Sequence, residues 1–236
     1  MCWFFDTSVV RRDHMQAYQA IQRILPSRLR DGVRDLADAV FANQRGSRHI
    51  MRASAPVVDD EYACGRWDYL KNLEEMSRYA VISGYCEYGG DVSSVLDLGC
   101  GSGVLRHWLR RLGKIEYVGV DLSKVAIETA KQEWTDGLTD FIAMDIATYV
   151  PDRKFDIILF NEVLYYFDQP GDILGRFEGF LEQNGRFIIS LWDGPESRLA
   201  WRRLRGSVSV IDEVQTRHSS GVSWQIRLCR PRFLKS

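Results

Sequence analysis

The chain has 236 residues, with 45% hydrophobic and 27% charged side chains, which is enough for one substantial domain with a buried core and a modest extension. The formal net charge of −1 leaves no surplus of Lys and Arg, so a general attraction to nucleic acid or to acidic membranes is excluded. We therefore expect a small-molecule partner, no nucleic acid and no membrane.

The cysteines indicate a reducing compartment. Five of them are scattered along the chain without a CxxC pair, so the sequence predicts neither a disulfide framework nor a zinc site. The N-terminal stretch has only a short apolar patch before Asp6, which favours neither a signal peptide nor a membrane span. These observations predict a cytoplasmic protein.

The N-terminal part of the chain has a helical pattern. Apolar side chains recur at three-to-four spacing over residues 14–45, with a break near Pro26, and a stretch rich in Gly, Ser and Pro follows. We predict a helical extension and linker over residues 1–60 and the main domain over residues 61–236. Three roles for the extension stay open: a solvated amphipathic helix that packs on the main domain, a lid over its pocket, or a dimer contact. The sequence therefore also leaves a homodimer open.

The remaining chain alternates between helical and strand-like patterns. Residues 67–85 form a predicted helix whose buried face includes Leu73 and Ala80, and short apolar strands separated by helices follow it. Such an alternation implies right-handed crossovers and a parallel sheet covered on both faces, which is a doubly wound α/β domain. Two strand-like segments flanking a Ser-Ser-Gly turn predict a terminal antiparallel hairpin.

A glycine-rich loop, VLDLGCGSG, follows the first predicted strand at residues 95–103. Its alternate glycines allow the backbone to approach a ligand closely at the carboxyl end of the sheet. A dinucleotide fingerprint needs glycine at the sixth position, but this position holds Val104 when counted from the first glycine and Arg106 when counted from the second. The loop therefore does not match a dinucleotide site.

Three acidic residues indicate what the loop binds. Asp121 ends an apolar run 22 positions after Gly99, where its carboxylate can accept hydrogen bonds from ribose hydroxyls. Asp97 places a negative charge at the loop, which would repel a diphosphate but attract a sulfonium and an ammonium. Asp145, after the next strand, can accept from an adenine amino group, with Ile146 against the ring.

These motifs, together with FDIILFNEVLYYF at residues 155–167, resemble in order and spacing the class I S-adenosylmethionine-dependent methyltransferases. The resemblance covers about residues 67–231 and implies a mainly parallel, seven-stranded Rossmann-like sheet with S-adenosylmethionine as the methyl donor. Cys100 has no cationic partner and is expected to fill space in the loop. The motifs and the resemblance together imply these donor-binding residues: Trp67, Tyr69, Arg78, Asp97, Gly99, Cys100, Gly101, Gly103, Asp121, Leu122, Asp145, Ile146 and Asn161.

The segment NEVLYYF after the fourth predicted strand should face the transferable methyl group. In many relatives, including quinone-biosynthesis O-methyltransferases, this stretch is E-V-L-E-H; here Tyr165 and Tyr166 replace the acid and the histidine, so we predict no metal. The E-V-L-Y-Y version resembles that of nodulation N-methyltransferases and of glycan and natural-product methyltransferases. Trp67, Glu75 and Arg78 also resemble the leading helix of these enzymes, in which an arginine can meet the methionine carboxylate.

Methyl transfer from a sulfonium is an in-line displacement, so catalysis consists mainly of placement and exclusion of water. An amine acceptor need only arrive unprotonated, whereas a hydroxyl acceptor needs a base. The candidate base or positioning residues are Glu162, Tyr165, Tyr166 and Asp193. We expect methylation at nitrogen or oxygen of a small-molecule, glycan or amino-sugar acceptor. The alternatives are an O-methyltransferase of an aromatic or natural-product substrate and a catalytically silent module that binds S-adenosylmethionine.

Overall fold

The structure is a computed structural model and describes residues 54–88, 92–134 and 136–232. Within these residues a seven-stranded sheet has the strand order β3-β2-β1-β4-β5-β7-β6. Strands β1 to β5 run parallel to one another, whereas β7 pairs antiparallel with both β5 and β6. The strands are β1 Ser94–Leu98, β2 Glu116–Asp121, β3 Thr139–Ala143, β4 Phe155–Asn161, β5 Leu181–Trp192, β6 Val208–Arg217 and β7 Ser223–Pro231.

Helices cover both faces of this sheet. The helices are α1 Ala55–Ala63, α2 Met76–Tyr88, α3 Val104–Leu109, α4 Lys124–Trp134, α5 Pro170–Glu178 and α6 Pro195–Leu204. Because successive side chains of a strand point to opposite faces, Leu96 of β1 joins a core cluster with α5 and α6, and its neighbour Val95 joins a second cluster with α2, α3 and α4. The predicted doubly wound domain and its C-terminal hairpin are therefore confirmed.

The carboxyl ends of β1, β2 and β4 lie together at one edge of the sheet. Leu98 at the end of β1 is in register with Val120 of β2 and with Phe160 of β4. The next residue along each of these strands therefore emerges beside the other two, where ligands of open α/β sheets bind. These three residues are Gly99, Asp121 and Asn161.

The segment before the sheet differs from its prediction. Two 3₁₀ turns, Asp68–Lys71 and Leu73–Glu75, precede α2. The predicted buried face is wrong in part. Its members Leu70 and Val81 pack against the core, but Leu73 is 69% exposed and Ala80 is exposed, and the buried residues include Tyr79 and Ile82 instead. A 3₁₀ turn has about 3.0 residues per turn instead of about 3.6, so the two turns shift the helical register.

Part of the predicted linker is helical. Helix α1 occupies residues 55–63 and runs through the predicted domain boundary between residues 60 and 61. Pro56 lies in its first turn, where the missing N–H costs no helical hydrogen bond. The predicted helix over residues 14–45 lies outside the described residues. None of the helices that the structure describes is both long and apolar enough to cross a bilayer.

Candidate active site

The glycine loop between β1 and α3 adopts a backbone conformation that favours glycine. Gly99, Gly101 and Gly103 have φ angles of 84°, 54° and 74°, in the left-handed region that side chains disfavour. At Gly101 space is also limiting, because a Cβ atom there would lie 2.6 Å from the hydroxyl oxygen of Tyr62 on α1. The loop is therefore closely approached by another part of the chain, and Cys100 beside it is buried, as expected for a residue that fills space.

Asp121 at the end of β2 is held against this loop by two backbone N–H groups. Gly101 N donates to Oδ2 and Ser123 N donates to Oδ1, both over 2.9 Å. Burial raises the pKa of Asp121, and these two N–H groups act in the opposite direction. Because each carboxylate oxygen has two lone pairs, the orientation leaves capacity for ribose hydroxyls. Leu122, half-buried, follows directly.

Asp97 on β1 is a buried acid, only 1% exposed. Its Oδ2 accepts a hydrogen bond from the Tyr117 hydroxyl over 2.5 Å, whereas Oδ1 has no hydrogen-bond partner in the described part of the chain. Burial raises the pKa of Asp97 from 3.8 to about 7. A buried carboxylate oxygen without a partner is costly unless a ligand supplies a donor or a positive charge. Its interaction with an ammonium or a sulfonium stays a prediction, for which Oδ1 is the acceptor atom.

Arg78 on α2 connects the leading segment to the end of β4. Its guanidinium donates to Glu75 Oε2 over 2.9 Å, to Asn161 Oδ1 over 2.6 Å and to the Tyr79 hydroxyl over 2.9 Å. Burial lowers the pKa of Arg78, but the nearby Tyr79, Glu75 and Glu162 raise it overall, so the side chain stays cationic. Three of the five N–H donors of an arginine are used in these bonds. Arg78 and Asn161 therefore lie together, as the donor site requires.

The predicted adenine contacts follow β3. Met144 N donates to the backbone oxygen of Asp121 over 2.8 Å, which brings this segment beside the ribose carboxylate. Asp145 Oδ1 accepts from Ala147 N over 2.9 Å and stabilises the turn. Ile146 is 6% exposed and belongs to the core, so most of its side chain packs beneath the site instead of lining it.

Glu162, the first residue after β4, is held in a strained backbone conformation. Its φ is 60°, and it is the only residue other than glycine with a positive φ among those described. Its N–H donates to Ser190 O over 2.8 Å, which fixes the turn, and the Tyr165 hydroxyl lies 3.5 Å from its Oε2. Strain of this kind is tolerated where the surrounding structure imposes it, often at functional sites. The turn places Glu162 beside Tyr165, which with Tyr166 is a candidate site residue from the sequence analysis.

We expect Glu162→Gly to be more stable than Glu162→Ala by on the order of 1 kcal/mol, because only glycine adopts this φ without steric cost. Denaturant unfolding of the two variants measures the difference. The same pair at the exposed, helical Glu128 is the control, and there alanine should be the more stable by about 1 kcal/mol. Equal stability of the two Glu162 variants would show that the turn is unstrained.

Five aromatic side chains lie in or near this turn, and we call them the aromatic cluster: Tyr62, Trp67, Tyr69, Tyr165 and Tyr166. The Tyr62 and Trp67 rings are stacked 5.7 Å apart, and the Trp67 and Tyr69 rings are 6.0 Å apart. The Tyr165 and Tyr166 rings are 4.7 Å apart. Burial raises the pKa of Tyr62, Tyr165 and Tyr166, each of which is also raised by a nearby Tyr69. These phenols are therefore neutral near pH 7, and the role of Tyr165 and Tyr166 in positioning an acceptor stays a prediction.

Asp193 follows β5 at the same edge of the sheet, but it is engaged in an ion pair. Arg198 of α6 donates to its Oδ1 over 2.9 Å. The Arg198 guanidinium therefore occupies one face of this carboxylate, which an acceptor would otherwise approach. Its role as a base stays a prediction, and Glu162 is the better placed candidate.

Helix α1 is attached beside the glycine loop by a contact that the sequence does not indicate. Asp59 Oδ1 accepts hydrogen bonds from Ser123 Oγ over 2.6 Å and from Val125 N over 3.2 Å, at the start of α4. Ser123 Oγ in turn accepts from Ala126 N over 3.1 Å and caps α4. With Tyr62 one turn further along, α1 covers the loop. The sequence pattern around Asp59 is typical of a linker, so no periodic signal identified this contact.

We expect Asp59→Ala to increase amide hydrogen exchange in residues 55–63 roughly fivefold, since a capping interaction contributes about 1 kcal/mol and helix α1 loses this attachment. Exchange followed by mass spectrometry measures the change. Asp60→Ala, at the adjacent exposed position, is the control and should leave exchange unchanged. Protection of α1 that survives in the Asp59 variant would mean that the helix is held by other contacts.

The described part of the chain contains no group of three or more His, Cys, Asp or Glu side chains that could hold a metal ion. Tyr165 and Tyr166 occupy the turn after β4, where they contact each other. The polar groups of the site are carboxylates, one arginine and one amide, and aromatic rings border them.

The chain matches the methyltransferase domain family over residues 91–216, more than half of its length, and it belongs to that family. Nodulation protein S of Azorhizobium caulinodans is 27% identical over 154 residues, which cover 64% of this chain and 73% of the relative. Malonyl-[acyl-carrier protein] O-methyltransferase 1 of Ilyobacter polytropus is 26% identical over 121 residues, which cover 50% of this chain and 44% of the relative. The mitochondrial ubiquinone biosynthesis O-methyltransferase of Schizosaccharomyces pombe is 33% identical over 101 residues, which cover 41% of this chain and 36% of the relative. The chain thus spans less than half of the length of each of these two O-methyltransferases.

Solved structures agree with the fold. The N-methyltransferase NodS of Bradyrhizobium japonicum WM9, in complex with S-adenosylhomocysteine, has a TM-score of 0.62 and 21% identity, covering 70% of this chain and 91% of that one. The 1,6-didemethyltoxoflavin-N1-methyltransferase of Burkholderia thailandensis has a TM-score of 0.60 and 20% identity, covering 73% of this chain and 84% of that one. The predicted class, a member of the methyltransferase family with a Rossmann-like sheet that resembles the nodulation enzymes, is confirmed.

Proposed function

We propose that this protein transfers a methyl group from S-adenosylmethionine to nitrogen or oxygen of a small-molecule acceptor, with amino sugars as the leading glycan candidates. The observation that carries the proposal is the pair of acids that flank the glycine loop. Asp121 is oriented by two backbone N–H groups, and Asp97 has a buried carboxylate oxygen without a partner among the described residues. This pairing suits a ligand with ribose hydroxyls at one end and a cationic group at the other.

The other residues of the site fit the remaining groups of the donor. Arg78 is cationic and lies beside Asn161, which supports contact with the methionine carboxylate. Asp145 and Leu122 lie beside Asp121 and support contact with the adenine and ribose. When bound, S-adenosylmethionine supplies an electrophilic methyl group on a sulfonium. The residues of this chain then serve to bind, orient and exclude water.

The acceptor side is formed by the turn after β4. Val163 contacts Gly99, since a Cβ atom on that glycine would lie 2.9 Å from its side chain. The segment that holds Glu162 and the tyrosines therefore lies beside the start of the glycine loop. An amine acceptor requires positioning and loss of one proton, whereas a hydroxyl acceptor requires a base during the reaction. Glu162 is the carboxylate in place for either task.

The test is transfer of a labelled methyl group from S-adenosylmethionine to a panel of acceptors that includes amino sugars, other amines, phenols and sugar alcohols. Labelled product from at least one acceptor class supports the proposal. Donor binding without turnover over the whole panel would indicate the silent binding module instead. Failure to bind either S-adenosylmethionine or S-adenosylhomocysteine in calorimetry would reject the donor site itself.

We also propose a cytoplasmic location. It is supported by the four cysteines in the described residues, all of which are free thiols. A homodimer is a further proposal that light scattering of the purified protein would test.

A further inference from the structure

We propose that the acceptor is an alkylamine that enters the site as an ammonium ion and is held between the aromatic cluster and Glu162. This inference rests on the proposed methyltransferase function and narrows it to one chemical class of acceptor. It concerns the space between the glycine loop and the turn after β4, where the transferable methyl group would be presented.

The aromatic cluster is assembled from three separate segments of the chain. Tyr62 comes from α1, Trp67 and Tyr69 from the start of the first 3₁₀ turn, and Tyr165 and Tyr166 from the turn after β4. All five side chains are half-buried, and their rings form two groups in contact, Tyr62–Trp67–Tyr69 and Tyr165–Tyr166. The two groups lie near each other, because Tyr69 raises the pKa of both Tyr165 and Tyr166. The faces of such rings attract a cation within about 6 Å of the ring centre, with an energy of about 0.5–2 kcal/mol for each contact.

The charges around the cluster also favour a cation. Glu162 adjoins the aromatic cluster, with its Oε2 3.5 Å from the Tyr165 hydroxyl, and Asp121 lies close enough to raise the pKa of Tyr62. Among the described residues, Arg78 pairs with Glu75 over 2.9 Å and also interacts with Glu162, and Arg66 pairs with Glu61 over 2.6 Å. An incoming ammonium therefore meets neutral aromatic walls and the carboxylates of Glu162 and Asp121.

The same side chains give little help to a hydroxyl acceptor. Burial raises the pKa of Tyr165 and Tyr166, so neither phenol is a base near neutral pH. Glu162 is a weak base for an alcohol, but it can take a proton from an ammonium ion when the free amine reacts at once. The reaction then balances. The ammonium loses a proton to the Glu162 carboxylate, the nitrogen lone pair forms the new N–C bond, and the C–S bond breaks with its electron pair kept by sulfur. The products are an N-methylated ammonium and a neutral thioether.

The test uses a cation and its uncharged analogue on protein saturated with S-adenosylhomocysteine. Choline and 3,3-dimethylbutan-1-ol have nearly the same shape, and only choline carries a charge. We expect choline to bind at least about tenfold more tightly in calorimetry, as a few cation–π contacts and one carboxylate would give. Glu162→Gln and Tyr166→Leu should each weaken choline binding several-fold, whereas Tyr166→Phe, which keeps the ring, should not.

Equal binding of the two probes, no binding of choline, or choline binding that is indifferent to Glu162→Gln and Tyr166→Leu would overturn the inference. The titration with S-adenosylhomocysteine that precedes the experiment separates the two proposals. If S-adenosylhomocysteine does not bind, the proposed function fails; if it binds and the cation is not preferred, only the acceptor class fails. Labelled methyl transfer to phenols but not to amines would likewise reject only the acceptor class and leave the proposed function standing.

Discussion

Asp121→Asn is expected to weaken binding of S-adenosylhomocysteine by about two orders of magnitude. The carboxylate at the end of β2 can accept hydrogen bonds from two ribose hydroxyls, and hydrogen bonds to a charged group contribute about 1.5–3 kcal/mol each. An asparagine has one acceptor oxygen, and this oxygen is shared with the backbone N–H groups of Gly101 and Ser123 that now point at the side chain. Calorimetric titration of the purified variant measures the loss.

Two comparisons make this result specific. Asp140→Asn, an exposed position on β3, should bind S-adenosylhomocysteine as the unchanged protein does. The melting temperature of Asp121→Asn is measured in parallel, because one of the two backbone N–H groups loses its acceptor and some stability is lost with it. A folded Asp121 variant with full affinity would mean that the ribose is bound elsewhere.

Asp97→Asn is expected to stabilise the protein without ligand at pH 8 and to weaken donor binding at the same pH. Burial raises the pKa of Asp97 from 3.8 to about 7, so the folded state holds this proton more tightly than the unfolded chain does. Stability therefore falls as the pH rises from about 4 to about 7, by up to roughly 4 kcal/mol. Asparagine removes this dependence while its amide oxygen still accepts from Tyr117. Unfolding by denaturant at several pH values measures the effect.

Donor affinity should change with pH in the opposite direction. The ionised carboxylate attracts the ammonium and the sulfonium, so affinity for S-adenosylmethionine should rise through pH 7 in the unchanged protein, whereas Asp97→Asn should lack this rise. The difference between the two proteins should be about tenfold or more at pH 8 and small at pH 5, where Asp97 is protonated. Asp140→Asn serves again as the control. A pH profile that is the same with and without Asp97 would refute its role.

The sequence was sufficient for the fold and for the residues at the ends of strands. Alternating apolar runs define β1 to β5, and parallel register then brings Asp97, Asp121 and Asn161 to one edge, so their proximity follows from the pattern alone. The face of α2 was wrongly predicted in part because 3₁₀ turns alter the helical period.

Contacts between distant segments could not be predicted in this way. Tyr62 and Asp59 belong to a stretch with turn-forming residues, and nothing local indicates that they meet Gly101 and Ser123. The partner of Asp97, Tyr117, is visible only once the two strands are aligned, since its hydroxyl reaches diagonally across the pair. The roles of these residues depend on tertiary packing, for which sequence periodicity carries no signal.

The position of Tyr62 has a consequence for the order of events during turnover. This side chain belongs both to the helix that covers the glycine loop and to the wall of the acceptor space. If the donor enters beneath α1, Tyr62 leaves Gly101 first, and the wall is complete only once the helix lies over the bound donor. In that case the donor binds first and the spent donor leaves last, which product-inhibition kinetics would show.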